Sequence, residues 1–325
     1  MKETNMRTMA KLTAALLALA IPAMAAAQSY PNRPVRIIVA YAAGQGTDIA
    51  TRYLAEHLTK DLGQPFIIEN RAGAGGNIGT EATRQAAADG YTLTMGTNAT
   101  HVLNQYLYDN LSFDPVAHFE PIALVGSFPM VVAVNAKSPF KTVSELLATA
   151  RSNSRAADIA MPSTTARLVV ELLKDRTQVG LYGVPYRGSG NAMTDVLGGQ
   201  LPVTVDTPTA LRAQIAAGTM RAIGVTSRGP SSLVPGVTPI AEQGVSGFEV
   251  SAWNALYAPK GTPQNVIDTL NKSVNNILQR QEVRQKLLEF GFEPGGGSAK
   301  ELADFAKAER LKWEPIIRTA DIKLN

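Results

Sequence analysis

The stretch that decides the fold is VRIIVAYAAGQGTDIATRYLAEHL, residues 35–58. Its first part, Val35–Val39, is a nearly continuous run of β-branched residues, which is typical of a strand covered on both faces. From Ile49 to Leu58 the apolar residues recur at helical spacing. The stretch therefore predicts a buried strand followed directly by a helix.

The loop between this strand and this helix has the composition of an anion-binding turn. Gly44 and Gly46 permit positive φ and close approach of the backbone to a ligand. Thr47 or Asp48 can cap the helix, whose first N–H groups and dipole favour a negative charge. An ordinary strand-to-helix turn has the same composition, so this segment alone leaves both interpretations open.

The first residues have the pattern of a secretory signal peptide. Lys2, Arg7 and Lys11 precede the short apolar run 12–20, and residues 23–27 are small residues suited to cleavage. We predict cleavage after Ala27 and export of the rest of the chain. The apolar run is too short to span a bilayer comfortably, and no later segment has a transmembrane pattern.

Composition excludes several classes of protein. The chain has 325 residues and a formal net charge of +4, which falls to +2 when the leader removes three basic residues and one acidic residue. Lysine and arginine are not clustered, so we expect no nucleic-acid partner. There is no cysteine, which excludes disulfides, thiolate metal sites and cysteine nucleophiles. The exported length suits two ordinary domains or one large one.

Strand-like and helix-like segments alternate along the exported chain. This order predicts a mostly parallel, doubly wound α/β architecture. In such sheets ligands bind beyond the carboxyl ends of the strands. The loops at 43–48, 73–79 and 97–100 all follow predicted strands, so we expect them to converge on one site.

No motif makes a positive case for catalysis. The glycine cluster at 71–79 lacks the spacing of a dinucleotide fingerprint. The three histidines, His57, His101 and His118, are not spaced as a metal set. Ser189 has glycine neighbours but not the pattern of a nucleophile elbow. We therefore expect no metal, no cofactor and no catalytic residue.

Taken together, these segments resemble one family, the Bug-type periplasmic receptors of tripartite tricarboxylate transporters. The resemblance runs from Tyr30-Pro31 to Ile322-Lys323 and is carried by many short matches in order. They are YPNRPVR at 30–36, GQGTD at 44–48, ENRAGAGGNIG at 69–79, ADGYTL at 88–93, VPYRG at 184–188, LGGQ at 197–200, AEQG at 241–244, Trp253 and APKGTP at 258–263.

The resemblance implies a type II periplasmic binding protein, in which two α/β lobes joined by a hinge close on a ligand in a central cleft. We expect crossings between the lobes near 126–131 and 248–254. One lobe would then comprise residues 28–126 and 252–325, and the other residues 127–251.

The resemblance also implies the ligand-binding residues, which we expect in three groups of loops. Loop amides and hydroxyls of the first lobe would hold a ligand carboxylate, and Asp206 matches a cleft aspartate of the second lobe. Asp206 can equally be a helix cap before Pro208. The expected residues are Gly44, Gln45, Gly46, Thr47, Asp48, Thr97, Asn98, Thr100, Ser163, Thr164, Thr165, Arg167 and Asp206.

The chain departs from the family where a glycine- and serine-rich loop followed by histidine is usual. Here the segment reads PSTTAR, residues 162–167. Ser163, Thr164 and Thr165 can still bind an anion at a helix start. Arg167 can clamp a second carboxylate, or it can be a solvent-exposed helix residue.

The predicted function is that of a receptor. The protein would capture a small organic acid in the periplasm and deliver it, as a monomer, to inner-membrane permease subunits. Two alternatives stay open at this point: an exported sensor that presents its liganded form to a signalling partner, and an exported enzyme on the same scaffold.

Overall fold

The computed structural model describes residues 30–324, and the side chain of Ser154 is not described. The predicted signal peptide, residues 1–27, lies outside the described residues. The fold below is that of the compact unit that begins at Arg33.

The first of two sheets is built on β1, the predicted buried strand. Val35, Ile37, Ile38 and Val39 are fully buried because both faces of the sheet are covered. β1 pairs in parallel with a strand on each side. In order across the sheet, the strands are β11 (Glu293–Gly296), β4 (Phe119–Pro129), β10 (Ser251–Pro259), β3 (Thr92–Thr97), β1 (Val35–Val39) and β2 (Phe66–Asn70).

The second sheet has five strands around a core of valine, leucine and alanine side chains. Its central strands are buried at every residue except Asn135, as the apolar runs predict. In order across the sheet, the strands are β7 (Gly183–Pro185), β6 (Ile159–Met161), β8 (Val203–Asp206), β5 (Val131–Asn135) and β9 (Met220–Val225).

Ten α-helices lie within residues 30–324, and none of them has the length and apolar character needed to cross a bilayer. Six belong with the first sheet and four with the second; we call each sheet with its helices the first or second lobe. The first-lobe helices are α1 (Gly46–Leu62), α2 (Asn77–Arg84), α3 (Asn104–Leu107), α8 (Gln264–Gln279), α9 (Gln281–Glu289) and α10 (Ala299–Thr319). The second-lobe helices are α4 (Val143–Ser152), α5 (Thr164–Thr177), α6 (Ser189–Leu197) and α7 (Pro208–Ala216). α10 begins with a capping box, in which Ser298 and Glu301 satisfy each other's backbone N–H groups.

Both sheets are mixed, which corrects the expectation of mostly parallel sheets. The chain passes from β4 in the first sheet to β5 in the second across Met130, and it returns along β10. β10 runs antiparallel to β3 and β4, and β5 runs antiparallel to β8 and β9. The strands that enter a sheet from the other lobe, β10 and β5, are therefore antiparallel to their neighbours, and the edge strand β11 adds one further antiparallel pair with β4.

These entering strands bring polar residues of distant sequence together. The register of β10 places Asn254 opposite Thr97 at the carboxyl end of β3. The register of β5 places Val131 opposite Asp206 at the carboxyl end of β8. The ends of the parallel strands in each lobe thus lie beside the segments that connect the lobes.

Candidate functional site

A narrow cleft lies between the two lobes where these strand ends meet. The first lobe contributes the loop after β1, the end of β3 and part of β10. The second lobe contributes the starts of α5 and α6 and the end of β8. The space that remains is about 40 Å³. The lining residues are Tyr41, Gln45, Gly46, Thr47, Thr97, Asn98, Phe128, Met130, Ser163, Thr165, Ser189, Asp206, Thr207, Ala252 and Asn254.

Direct contacts between the lobes close this cleft. Gln45 Nε2 donates to Ser189 Oγ at 3.3 Å, and Thr165 Oγ1 donates to Asn98 Oδ1 at 3.3 Å. A Cβ added at Gly46 would lie 3.1 Å from Thr207 Oγ1. The loop after β1 therefore approaches the start of α7 so closely that even a methyl group at position 46 would require its neighbours to shift.

Three buried polar atoms of the cleft make no hydrogen bond within residues 30–324. They are Nδ2 of Asn98, Nδ2 of Asn254 and Oδ2 of Asp206, on residues that are at most 2% exposed. The amide oxygen of Asn254, Oδ1, accepts a hydrogen bond from Thr47 Oγ1 at 3.3 Å. Because an unpaired buried polar group is costly, these atoms indicate a site built for a polar ligand.

Among residues 30–324, Asp206 supplies the only carboxyl group that lines the cleft. Burial raises the pKa of Asp206 to about 6, and the nearby Ser189 hydroxyl and the Thr207 backbone N–H act in the opposite direction. Oδ1 accepts from Thr207 N at 2.7 Å. Asp206 is not the helix cap, since α7 is capped by the Thr207 side chain, which accepts from Ala210 N.

The loop after β1 is held in place by Asp48, which does not line the cleft. Its Oδ2 accepts from Gly44 N at 2.8 Å and from Arg52 Nε at 3.0 Å, and its Oδ1 accepts from Asn70 Nδ2 at 2.8 Å. Neither Thr47 nor Asp48 caps α1; the N-cap is Gln45, with no side-chain bond. Asp48 thus stabilises the loop through its carboxylate oxygens.

The start of α1 nevertheless presents backbone donors to the cleft. Ile49 is the first residue of the helix whose N–H bonds to a preceding carbonyl, that of Gln45, so the N–H groups of Gly46 and Thr47 have no intrahelical acceptor. Only Gly44 has a positive φ, +82°, and it lies outside the cleft lining. A glycine at position 46 allows the second lobe to approach closely; its φ angle is one that other residues can also adopt.

The remaining expected residues divide between the cleft and its surroundings. Thr97 lines the cleft and bonds to Tyr41 Oη at 2.9 Å. Thr100 does not, because its hydroxyl accepts from Thr97 N at 3.0 Å and so shapes the turn. Thr164 and Arg167 line an adjacent groove instead. Of the expected set, the cleft brings together Gln45, Gly46, Thr47, Thr97, Asn98, Ser163, Thr165 and Asp206.

Several polar residues of the cleft were not among those expected from the sequence. The expected set did not include Tyr41, Thr207 and Asn254. Ser189 was considered only as a possible nucleophile. The signal for Asn254 in the sequence was its position at the end of the expected crossing near 248–254.

The polar groups of the cleft are hydrogen-bond donors and acceptors. Within residues 30–324 no group of three or more histidine, aspartate or glutamate side chains is placed to hold a metal. His101 is buried against Tyr257, with ring centroids 3.9 Å apart, and burial lowers its pKa to about 3. The arrangement can bind and orient a small polar molecule.

Comparison with known proteins identifies the family. A family model described as "Tripartite tricarboxylate transporter family receptor" (TctC) matches residues 50–322. Protein BugT of Bordetella pertussis is 33% identical over 94% of this chain and 94% of its own length. R. palustris Rpa4515, solved with adipate, is 33% identical with a TM-score of 0.87, over 91% of this chain and 100% of that chain. MatC from Rhodopseudomonas palustris, solved with malate, is 30% identical with a TM-score of 0.83, over 89% and 100%.

These relatives confirm the family resemblance and the periplasmic binding protein fold predicted from the sequence. The family and its structural neighbours are binding proteins rather than enzymes. This chain belongs to the tripartite tricarboxylate transporter receptor family, a family of periplasmic solute receptors.

Proposed function

We propose that this chain is a non-enzymatic periplasmic receptor that binds a small organic carboxylate between its lobes and delivers it to inner-membrane permease subunits. The signal peptide 1–27 would be removed on export. The expected domain boundaries, near residues 126 and 252, would place the hinge within β4 and β10, the strands through which the chain leaves and re-enters the first sheet. The adipate and malate bound by two structural neighbours are both dicarboxylates, which supports this ligand class.

The observation that carries the proposal is the pair of unpartnered amide donors, Asn98 Nδ2 and Asn254 Nδ2, in the buried cleft. A carboxylate accepts hydrogen bonds through both oxygens, and the free N–H groups at the start of α1 favour the same charge. A ligand held by Asn98 of one lobe and Asp206 of the other would favour the closed form over the open one.

The test is to identify what the exported protein retains. Native mass spectrometry of protein purified without denaturation should show one bound small acid, released unchanged on unfolding. Added carboxylates should raise the melting temperature, because a ligand that binds only the folded state stabilises it. The corresponding amides should not. If the acid were released in a chemically altered form, the protein would be an enzyme instead. If no carboxylate in the panel raised the melting temperature, the proposal would be contradicted.

Ligand affinity should decrease as pH rises, because of Asp206. Its pKa in the folded protein is about 6; below that value the carboxyl is protonated and can donate to an anionic ligand. Above it, the ionised carboxylate repels the ligand. Because the pKa of Asp206 is higher in the folded protein than in the unfolded chain, protonation of Asp206 favours folding. The stability contributed by the protonated carboxyl is present at low pH and is lost as pH rises through about 6.

We expect the affinity for a carboxylate, measured by calorimetry, to fall roughly threefold to tenfold between about pH 5.5 and about pH 8. The corresponding loss of binding free energy is a modest fraction of the repulsion between two close carboxylates. Asp206→Asn should remove this dependence, because an amide donates at every pH. A wild-type affinity that stays constant, or that rises over this range, would show that the ligand carboxylate does not lie beside Asp206.

A further inference from the structure

A groove of about 730 Å³ lies beside the cleft, between the two lobes. The first lobe forms one wall with the glycine-rich turn 72–76, and the second lobe forms the other with the segments 161–167 and 185–187. Tyr41 and Ser163 line both the groove and the cleft. The two spaces are therefore neighbours separated by these side chains.

The groove carries positive charge that nothing in the described chain neutralises. Of the described residues that line it, only Arg167 and Arg187 are charged. Between residues 30 and 324 neither guanidinium has a hydrogen bond or an ion pair. Arg167 is half-buried at the second turn of α5, whereas Arg187 is exposed. By contrast Arg176, farther along the same helix, lies 3.9 Å from Asp175.

The cleft itself is too small for a whole organic acid. A buried water needs about 10–15 Å³ of such space, so the 40 Å³ of the cleft corresponds to a few waters or one carboxylate group. A ligand whose carboxylate lies against Asn98 and Asn254 must extend past the shared side chains. The larger space beyond them is the groove.

We propose that Arg167 and Arg187 form an outer anion subsite that receives the distal carboxylate of a chain-like dicarboxylate whose first carboxylate lies in the cleft. This inference rests on the proposed function and narrows its ligand class. Guanidinium groups suit carboxylates because their N–H donors bind both oxygens at once. A ligand held this way bridges first-lobe amides and second-lobe arginines, so the outer contact also favours closure.

The test compares matched ligands on matched variants. Calorimetry would measure a panel of straight-chain dicarboxylates, adipate among them, and the monocarboxylate analogue of each, on Arg167→Gln, Arg187→Gln and the double variant. Arg176→Gln is the control, because it removes an arginine of the same helix outside the groove. Inorganic sulfate is a separate probe for a free anion.

We expect the double variant to bind the preferred dicarboxylate about tenfold more weakly, since one charge-assisted hydrogen bond in a partly exposed groove accounts for that factor. Binding of the monocarboxylate should change less than about twofold, and the control should behave as wild type.

Equal losses for both ligand types, or no loss for either, would overturn the subsite while leaving the receptor function intact. Loss of sulfate binding without loss of dicarboxylate binding would assign the arginines to a separate anion and also overturn it. If wild-type protein binds no carboxylate at all, both proposals are wrong.

Discussion

Gly46→Val should lower ligand affinity about a hundredfold while leaving the free protein folded. In the closed form a Cβ at this position lies 3.1 Å from Thr207 Oγ1 and 3.3 Å from Thr209 Cβ, which is already tight. The two further methyl groups of valine have no space, and overpacking of this kind costs about 1–3 kcal/mol. The upper end of that range is roughly a hundredfold in affinity. Because the clash is between lobes, it opposes closure rather than folding.

Two variants make this prediction specific. Gly46→Ala adds only the Cβ and should show a smaller loss, since its neighbours need shift by only a few tenths of an ångström. Gly180→Val introduces the same side chain in a second-lobe loop where a Cβ would have no atom within 4 Å; it should bind as wild type does. Thermal unfolding without ligand should be similar for all. Undiminished affinity of Gly46→Val would remove the loop after β1 from the site.

Local sequence pattern accounts for most of the fold. The β-branched run at 35–39 and the helical spacing after Ile49 predict β1 and α1, which the structure places at Val35–Val39 and Gly46–Leu62. These elements are strongly periodic and buried on one or both faces, so the hydrophobic pattern alone specifies them.

The local sequence pattern does not predict strands that depend on pairing with distant strands. β4 extends from Phe119 to Pro129 although the segment 115–121 has an irregular composition, because it is held between β10 and β11. β11 has the sequence EPGG and no strand signal of its own. Tertiary contacts override local propensity in both cases.

The same distinction explains which site residues were predicted. Glycine, threonine and asparagine after strands identify the loops, and eight of the thirteen expected residues line the cleft. Which face each residue presents is not a local property. Asp48 is turned into its own loop by Gly44, Arg52 and Asn70, and Asn254 enters the cleft only because β10 pairs with β3. Neither outcome follows from spacing along the chain.

The largest expected loss of affinity comes from replacing the two unpartnered amides. In the double variant Asn98→Asp/Asn254→Asp, each side chain keeps its size and its Oδ1 acceptor, so the hydroxyls of Thr165 and Thr47 keep their partner atoms. Each Nδ2 donor becomes an oxygen that repels a carboxylate. A hydrogen bond to a charged group contributes about 1.5–3 kcal/mol, so loss of both should weaken binding by roughly two to four orders of magnitude.

The control variant Asn110→Asp/Asn153→Asp adds the same two acidic groups at exposed positions and should change affinity less than about twofold, since exposed charges are well screened. Low pH supplies a second check. A buried aspartate has a raised pKa, and once protonated it can donate a hydrogen bond again. Affinity of the double variant should therefore recover in part as pH falls toward about 5, whereas a variant that had lost its fold would not recover. Binding within about threefold of wild type at neutral pH would mean that the ligand is held by other groups, and that Asn98 and Asn254 do not face its carboxylate.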